Sequence, residues 1–375
     1  MRVTAAGILC LLVACASKEV IAPPASVDAT TETQGRDAEA VGSPETACAV
    51  ATGASAWQVL ARCHPKGELL SAWASPAGVI TLVGAKGQLW RYEGCSWRAI
   101  DTGTTDDLWW VHGFDDGSVA MVGAKGRVMT YAEGVGLKTV KTDTTVTLYG
   151  IWGTSIEQAW TIGFMPNGSA APYVGRTNGE ASFKAVGTPL LGDKASPFKV
   201  WGRTKDDVWI VGRSDLVLHW DGTSLTSQPT GTATDWVTVT GDPATGDLVL
   251  VGGQVQGQVM ERRSGAWVPV AIAGLQPLQG VCLAPDGSGL ATGMGGSFLR
   301  RSVQGTWTSD DTAPFDLFDP SSPPVAGCQQ PVPDYHACAA LPGGGFLAVG
   351  GNFLLGPLTE GTVVAHAPPM ARLPD

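Results

Sequence analysis

The chain has 375 residues and a mass of 38.8 kDa, enough to bury a sizeable core in one large domain or two ordinary ones. Charged residues make up only 15 % and apolar ones 44 %, which excludes wholesale disorder. The 50 glycines show no three-residue period, which excludes a collagen-like fibre. A net charge of −10 argues against a fold-wide nucleic-acid surface, so no nucleic-acid partner is expected.

Arg2 is the only charge ahead of the apolar run from Val3 to Ala14. That run is about half the length of a bilayer-spanning helix, and residues 1–14 read as a secretory signal peptide. The segment Leu12-Val13-Ala14-Cys15 resembles a bacterial lipobox: an apolar residue and two small ones before a cysteine. The resemblance implies cleavage before Cys15 and a diacylglycerol on its thiol, with several acyl chains holding the protein to a membrane. An ordinary signal cleaved after Ala14 or Ala16 is the plainer alternative. Ala16 stands where an Asp would resemble an inner-membrane retention signal, which favours the outer membrane, on its periplasmic or extracellular face. Residues 15–47 then form a tether of Ala, Thr, Glu, Pro and Ser with almost no aromatic residue, reaching roughly 30 Å.

From residue 48 the chain repeats. Leu82-Val83-Gly84-Ala85-Lys86-Gly87 and Met121-Val122-Gly123-Ala124-Lys125-Gly126 are nearly identical and lie 39 residues apart. The apolar–Gly step recurs at Gly84, Gly123, Gly163, Gly212, Gly252, Gly293 and Gly350, which marks seven units. Ahead of each marker sits a second column: Ala72-Trp73, Val111-His112, Ile151-Trp152, Val200-Trp201, Val239-Thr240, Val281-Cys282 and Ala337-Cys338. Turn residues such as Asp115-Asp116-Gly117 and Pro285-Asp286-Gly287 separate that column from short β-branched runs such as Val79–Val83 and Val208–Val211. A third, alternating run and a fourth opening on an aromatic follow, as in Gln88–Tyr92 and Gly94…Trp97. Four antiparallel strands per 40 residues make one propeller blade, so the fold class is all-β, a seven-bladed β-propeller over residues 48–368, with 369–375 as a C-terminal tail.

The strand Gly53–Leu60 precedes the first unit and carries the Gly…Trp signature of the fourth strands. It is expected to complete the seventh blade and so remove an exposed edge. In the alternative, Val363–His366 is the outer strand and Trp57–Leu60 an extra one.

The units Gly150-Ile151-Trp152-Gly153…Ala159-Trp160-Thr161-Ile162-Gly163 and Val200-Trp201-Gly202…Val208-Trp209-Ile210-Val211-Gly212 are similar to those of secreted propeller lipoproteins common in myxobacteria. More distantly they resemble WD40-like, sialidase-type and photosystem assembly-factor propellers. The resemblance spans residues 55–366 and implies architecture, leaving function open.

Of eight cysteines, Cys10 lies in the signal and Cys15 at the lipobox, leaving six for up to three disulfides in an oxidising compartment. Cys48–Cys63 would staple the chain around the closing strand and Cys328–Cys338 would clamp a loop. Cys95–Cys282 would remain, yet one belongs to an outer edge and the other to an innermost strand. Cys282 and Cys338 share a column in adjacent blades, so they could instead pair or stay free. Two units are oversized, through Phe164–Pro197 and Asp310–Pro333, and long loops on a rigid scaffold are where recognition concentrates.

The inner column holds no Asp or Glu, and the pairs Asp115-Asp116 and Asp206-Asp207 fall in turns, where Asp is favoured for local hydrogen bonds. No nucleophile elbow, HExxH, phosphate loop or EF-hand pattern occurs. No cofactor, metal or catalytic residue is therefore expected. His112, Arg203 and His336 are the candidates for the channel mouth, and Trp110 and Trp220 for stacking on a carbohydrate. The residues point to a non-catalytic, monomeric binding or scaffold module. Its partners would be the membrane, through the lipid, and an envelope protein or glycan, through the loops. The alternative is a propeller enzyme cleaving polysaccharide, a glycoside hydrolase or lyase.

Overall fold

In a computed structural model, residues 57–187, 190–192, 195–272, 274–310, 312, 333–352 and 358–375 are described. They form seven four-stranded antiparallel sheets, and the only helical pieces among them are three single 3-10 turns. Blades 1 to 6 run in chain order over Leu69–Ala99, Leu108–Val140, Thr147–Ala185, Pro197–Ser227, Trp236–Val270 and Leu278–Ser309. Blade 7 takes three strands from Asp334–His366, and its outermost strand is Trp57–His64, paired to Gly361–His366. The N-terminal strand therefore closes the ring, as expected, and Val363–His366 belongs to the third strand. The signal, the lipobox, the tether and Cys48 lie outside the described residues. No described helix is long and apolar enough to cross a membrane.

The recurring glycine has a steric cause. It stands opposite the first or second residue of the inner strand: Leu69, Leu108, Leu148, Pro197, Trp236, Leu278 and Tyr335 in blades 1 to 7. A Cβ at any of the seven would overlap the carbonyl oxygen just ahead of that residue, from Glu68, Asp107, Thr147, Ser196, Asp235, Pro277 and Asp334 respectively. Gly84, Gly123 and Gly293 have φ near −167°, an extended backbone open to any residue, so the demand is for space alone. Where the turn to the third strand is the 3-10 piece, the amide after the glycine donates to that same carbonyl, Ala85 N to Glu68 O at 2.9 Å and Ala124 N to Asp107 O at 3.0 Å.

Immediately after the residue that faces the glycine every inner strand skips one residue in register. The bulged residues are Leu70, Trp109, Tyr149, Phe198, Val237, Gln279 and His336. A bulge re-aims its side chain, and here it brings Trp109 of blade 2 and His336 of blade 7 to within 6.0 Å of each other. Three residues further on, the side chains point to the next blade. The rings of Trp73, Trp152 and Trp201 lie over Gly113, Gly202 and Gly241 of the following blade, where a Cβ would collide with them. His112 holds the same level and bonds Gly153 O at 2.8 Å.

This register corrects the cysteine columns. Cys282 pairs with Leu290, three residues before its marker glycine, whereas Cys338 pairs with Ala348, only two before its own. The two are one column apart, so Cys282 faces forward to blade 7 and Cys338 faces back to blade 6. They form a disulfide, Cα to Cα 5.8 Å. The expected Cys328–Cys338 pair is therefore wrong, and Cys282 is not available to Cys95. Cys63 and Cys95 each form a disulfide as well.

The insertions shrink as well. Phe164–Pro197 contains the two outer strands of blade 3, Tyr173–Arg176 and Lys184–Ala185, so its middle third is blade. Asp310 is also structural: it accepts from Trp57 Nε1 at 3.1 Å and pairs with Arg300. Residues 313–332 lie outside the described residues. The tail 369–375 packs onto the closed ring, with Leu373 buried and its amide bonded to Leu60 O at 2.8 Å, and with Ala371 O accepting from Trp97 Nε1.

Candidate functional site

A propeller offers three places for recognition: the axial shaft and its two faces. In this chain side chains from non-adjacent blades meet, which only an axial position permits. Trp109 of blade 2 lies 6.0 Å from the ring of His336 in blade 7 and 5.1 Å from Tyr149 in blade 3. Lys199 of blade 4 sits 4.3 Å above the ring of Trp110 in blade 2 and donates to Tyr149 O at 3.0 Å. The shaft is thus crossed by a layer of aromatic side chains holding one buried lysine.

His336 Nδ1 is 2.6 Å from Leu70 O. A carbonyl only accepts, so Nδ1 carries the proton. Burial, and then the charge of Lys199, push His336 down to about 3. Burial lowers His112 to about 4, against the pull of its Gly153 bond, and lowers Lys199 to about 7. A histidine that titrates near 6.5 unfolded and near 3 folded leaves the unfolded chain holding more protons between those values, so stability falls as pH drops through that window. Replacing His336 with Asn is expected to remove about 2 kcal/mol of the stability lost between pH 6.5 and pH 5, since one unit of linkage is worth about 1.4 kcal/mol. Urea unfolding of both proteins at the two pH values measures it. Equal losses would show that His336 takes up its proton when folded.

At the end of the ring where the inner strands begin, acidic residues clasp the preceding blade. Asp107, Asp235 and Asp334 accept from the amides of Lys86, Ser214 and Gly295 at 2.8–2.9 Å. Sequence reading missed this column, although its signal is there: an acid directly before the residue that faces the marker glycine in four blades. Glu68 is the fourth, fully buried, and neither of its oxygens has a hydrogen-bond partner among the described residues. Burial first, then Asp334 and Asp107, push its carboxyl well above the usual range.

The opposite face carries the hairpins between first and second strands and between third and fourth. His112 and Arg203 approach it, but the three channel-mouth candidates are not brought together. His336 is deep in the shaft and His112 is wedged between blades 2 and 3. Arg203 alone reaches the rim, where its Nε pairs with Asp207 at 2.9 Å. Asp207 is a hub rather than a turn residue, since it also accepts from Trp209 Nε1 at 3.0 Å and bonds His219 Nε2 at 2.8 Å. Asp116 behaves as a turn residue, capping Ser118 N at 2.9 Å. Trp110 and Trp220 are packed rather than offered: Lys199 covers the first, and Arg176, 5.0 Å away, covers the second against Trp160.

The hairpin face also holds a pocket of 460 Å³ between blades 5 and 6, bounded by Trp201, the Asp242–Asp247 hairpin and Pro285, with Glu261, Arg263 and Arg301 in its wall. Among the described residues no group of three or more His, Cys, Asp or Glu could hold a metal ion.

Comparison with known proteins gives the architecture and little more. No protein-family model matches the chain, and no curated protein matches it. Solved structures do. A streptogramin B lyase superposes with a TM-score of 0.63 at 10 % identity, over 82 % of this chain and 96 % of its own. YCF48 from Cyanidioschyzon merolae gives 0.59 at 15 % identity, over 84 % and 99 %. YCF48 bound to D1 peptide gives 0.57 at 11 % identity, over 83 % and 96 %. The chain is a seven-bladed β-propeller of the shape these proteins share. At such identities the likeness is one of fold.

Proposed function

We propose that this protein is a non-catalytic binding or scaffold lipoprotein of the bacterial cell envelope, held to the outer membrane through Cys15 and recognising an envelope protein or a glycan with one face of its propeller. The observation that carries the reading is the crossed shaft. With Trp109, Tyr149, His336 and Lys199 packed on the axis, recognition falls to the loops and the hairpin face. One neighbour of the same shape, YCF48, is bound to a peptide, which supports a peptide-like partner. The pocket carboxylate Glu261 has both oxygens engaged by Arg263, Arg301 and Trp307, so it supports structure rather than polysaccharide cleavage.

Crosslinking in intact envelopes tests this. The native chain should sediment with membranes and capture one defined partner, and Cys15→Ser should release it to the soluble fraction. Deleting residues 313–327, with Asp310, Thr312 and Cys328 kept, should abolish capture while the melting temperature moves by no more than about 2 °C. A Cys15→Ser chain still bound to membranes would end the anchor, unaltered capture would end the role of that loop, and cleavage of a polysaccharide would end the non-catalytic reading.

A further inference from the structure

The pocket between blades 5 and 6 has a chemistry of its own. At 460 Å³ it is the size of a small-ligand site. Glu261 lies in its inner wall at 1 % exposure. Oε1 accepts from Arg301 Nε at 2.9 Å and from Trp307 Nε1 at 2.7 Å, and Oε2 accepts from Arg263. Two guanidinium groups thus share one carboxylate, which leaves one positive charge in the wall unanswered. Arg301 Nη1 donates to Gly287 O and Arg263 Nη2 to Gly305 O. Arg301 Nη2 and Arg263 Nη1 are left with no protein acceptor among the described residues, in forks already fixed by their other bonds. Gly305 turns at a φ of +81°, a conformation that favours glycine, and lies beside Arg301 Nη2.

The lip has the opposite sign. Asp242 of the blade 5 hairpin accepts turn bonds from Ala244 N at 2.8 Å and Thr245 Oγ1, and Asp247 accepts from Ser264 N at 3.0 Å in the neighbouring hairpin. Neither meets a cation within 4.0 Å among the described residues. Between lip and wall the lining is apolar: Trp201, Leu248, Leu283 and Pro285. A simple anion would have to sit against two rim carboxylates, and a simple amine would face the arginine pair. A molecule bearing both charges answers both ends.

We propose that this pocket binds a small zwitterion of the amino-acid class with an apolar side chain, its carboxylate on Arg263 and Arg301 and its ammonium toward Asp242 and Asp247. The site is independent of the envelope partner and stands or falls without it.

Calorimetric titration of the full chain with leucine, phenylalanine and methionine tests the assignment, beside 4-methylpentanoate and isopentylamine, which keep one charge of leucine each. At least one amino acid should bind saturably. If leucine binds, each single-charge analogue should bind about tenfold more weakly or worse, because each loses a charge-assisted contact. Arg263→Gln, at a half-exposed side chain, and Asp242→Asn should each weaken binding by about tenfold or more. Absence of saturable binding by all three amino acids would overturn the proposal. So would 4-methylpentanoate binding as well as leucine, or affinities unmoved in both variants. Partner capture that survives in Arg263→Gln would leave the envelope reading intact while this site fails.

Discussion

Gly123→Ala is expected to cost about 3 kcal/mol or more, although it adds a single methyl at an extended φ of −167°. The methyl would enter the space of Asp107 O, the carbonyl to which Ala124 N donates at 3.0 Å. Relief requires the second strand of blade 2 to move off its inner strand, and that crossing also sets the bulge that aims Trp109 at the axis. The damage therefore spreads from one hydrogen bond to the central layer. Chemical denaturation measures it, with Gly117→Ala, in an open turn where nothing lies within 4 Å of an added Cβ, as the comparison. Gly117 has a φ of +79°, so its own loss should be about 1 kcal/mol, a backbone cost without a clash. Equal losses at the two sites would refute the steric account of the repeat.

Removing the disulfide between blades 6 and 7 should be the other severe change. Cys282 and Cys338 are 56 residues apart in sequence, and closing a loop of that length in the unfolded chain is worth about 4 kcal/mol. The double variant Cys282→Ser and Cys338→Ser avoids leaving one thiol behind. Without reductant it should lose about 3–4 kcal/mol in guanidinium unfolding, and the difference should vanish when both proteins are compared reduced. A loss below about 1 kcal/mol would show that blade packing alone holds this junction. The staple has a clear position in the ring. Between blades 1 and 2, 3 and 4, and 4 and 5 a tryptophan ring lies over a glycine of the next blade, and at the blade 6 to 7 junction the disulfide bonds at that level instead. The junction neighbours the blade that the N-terminal strand completes.

Some of this was legible in the chain and some was not, and the division follows the range of the interactions. Seven blades could be counted from seven glycines because each answers a clash inside its own hairpin, between strands that sequence places next to each other. The closing role of Trp57–His64 was legible for a related reason: an unmatched strand at one end and a unit short of a strand at the other complement each other. The turn role of Asp116 was equally local.

Pairings between blades were legible only as alternatives, Cys282 with Cys338 among them, because they depend on which face each residue presents. Cys282 and Cys338 fall in one column when apolar residues are aligned, yet pairing Gly350 with Tyr335 shifts blade 7 by one and turns Cys338 to the other face. His336 seemed a mouth residue until the bulge placed it in the shaft beside Lys199. Arg263 and Arg301 carry no motif, and they converge because adjacent blades present their third strands to the same buried Glu261. The linear chain alone thus determined the blade count and the closure. Tertiary structure decided what fills the axis, which cysteines meet and where opposite charges gather, because those outcomes depend on how one blade faces the next.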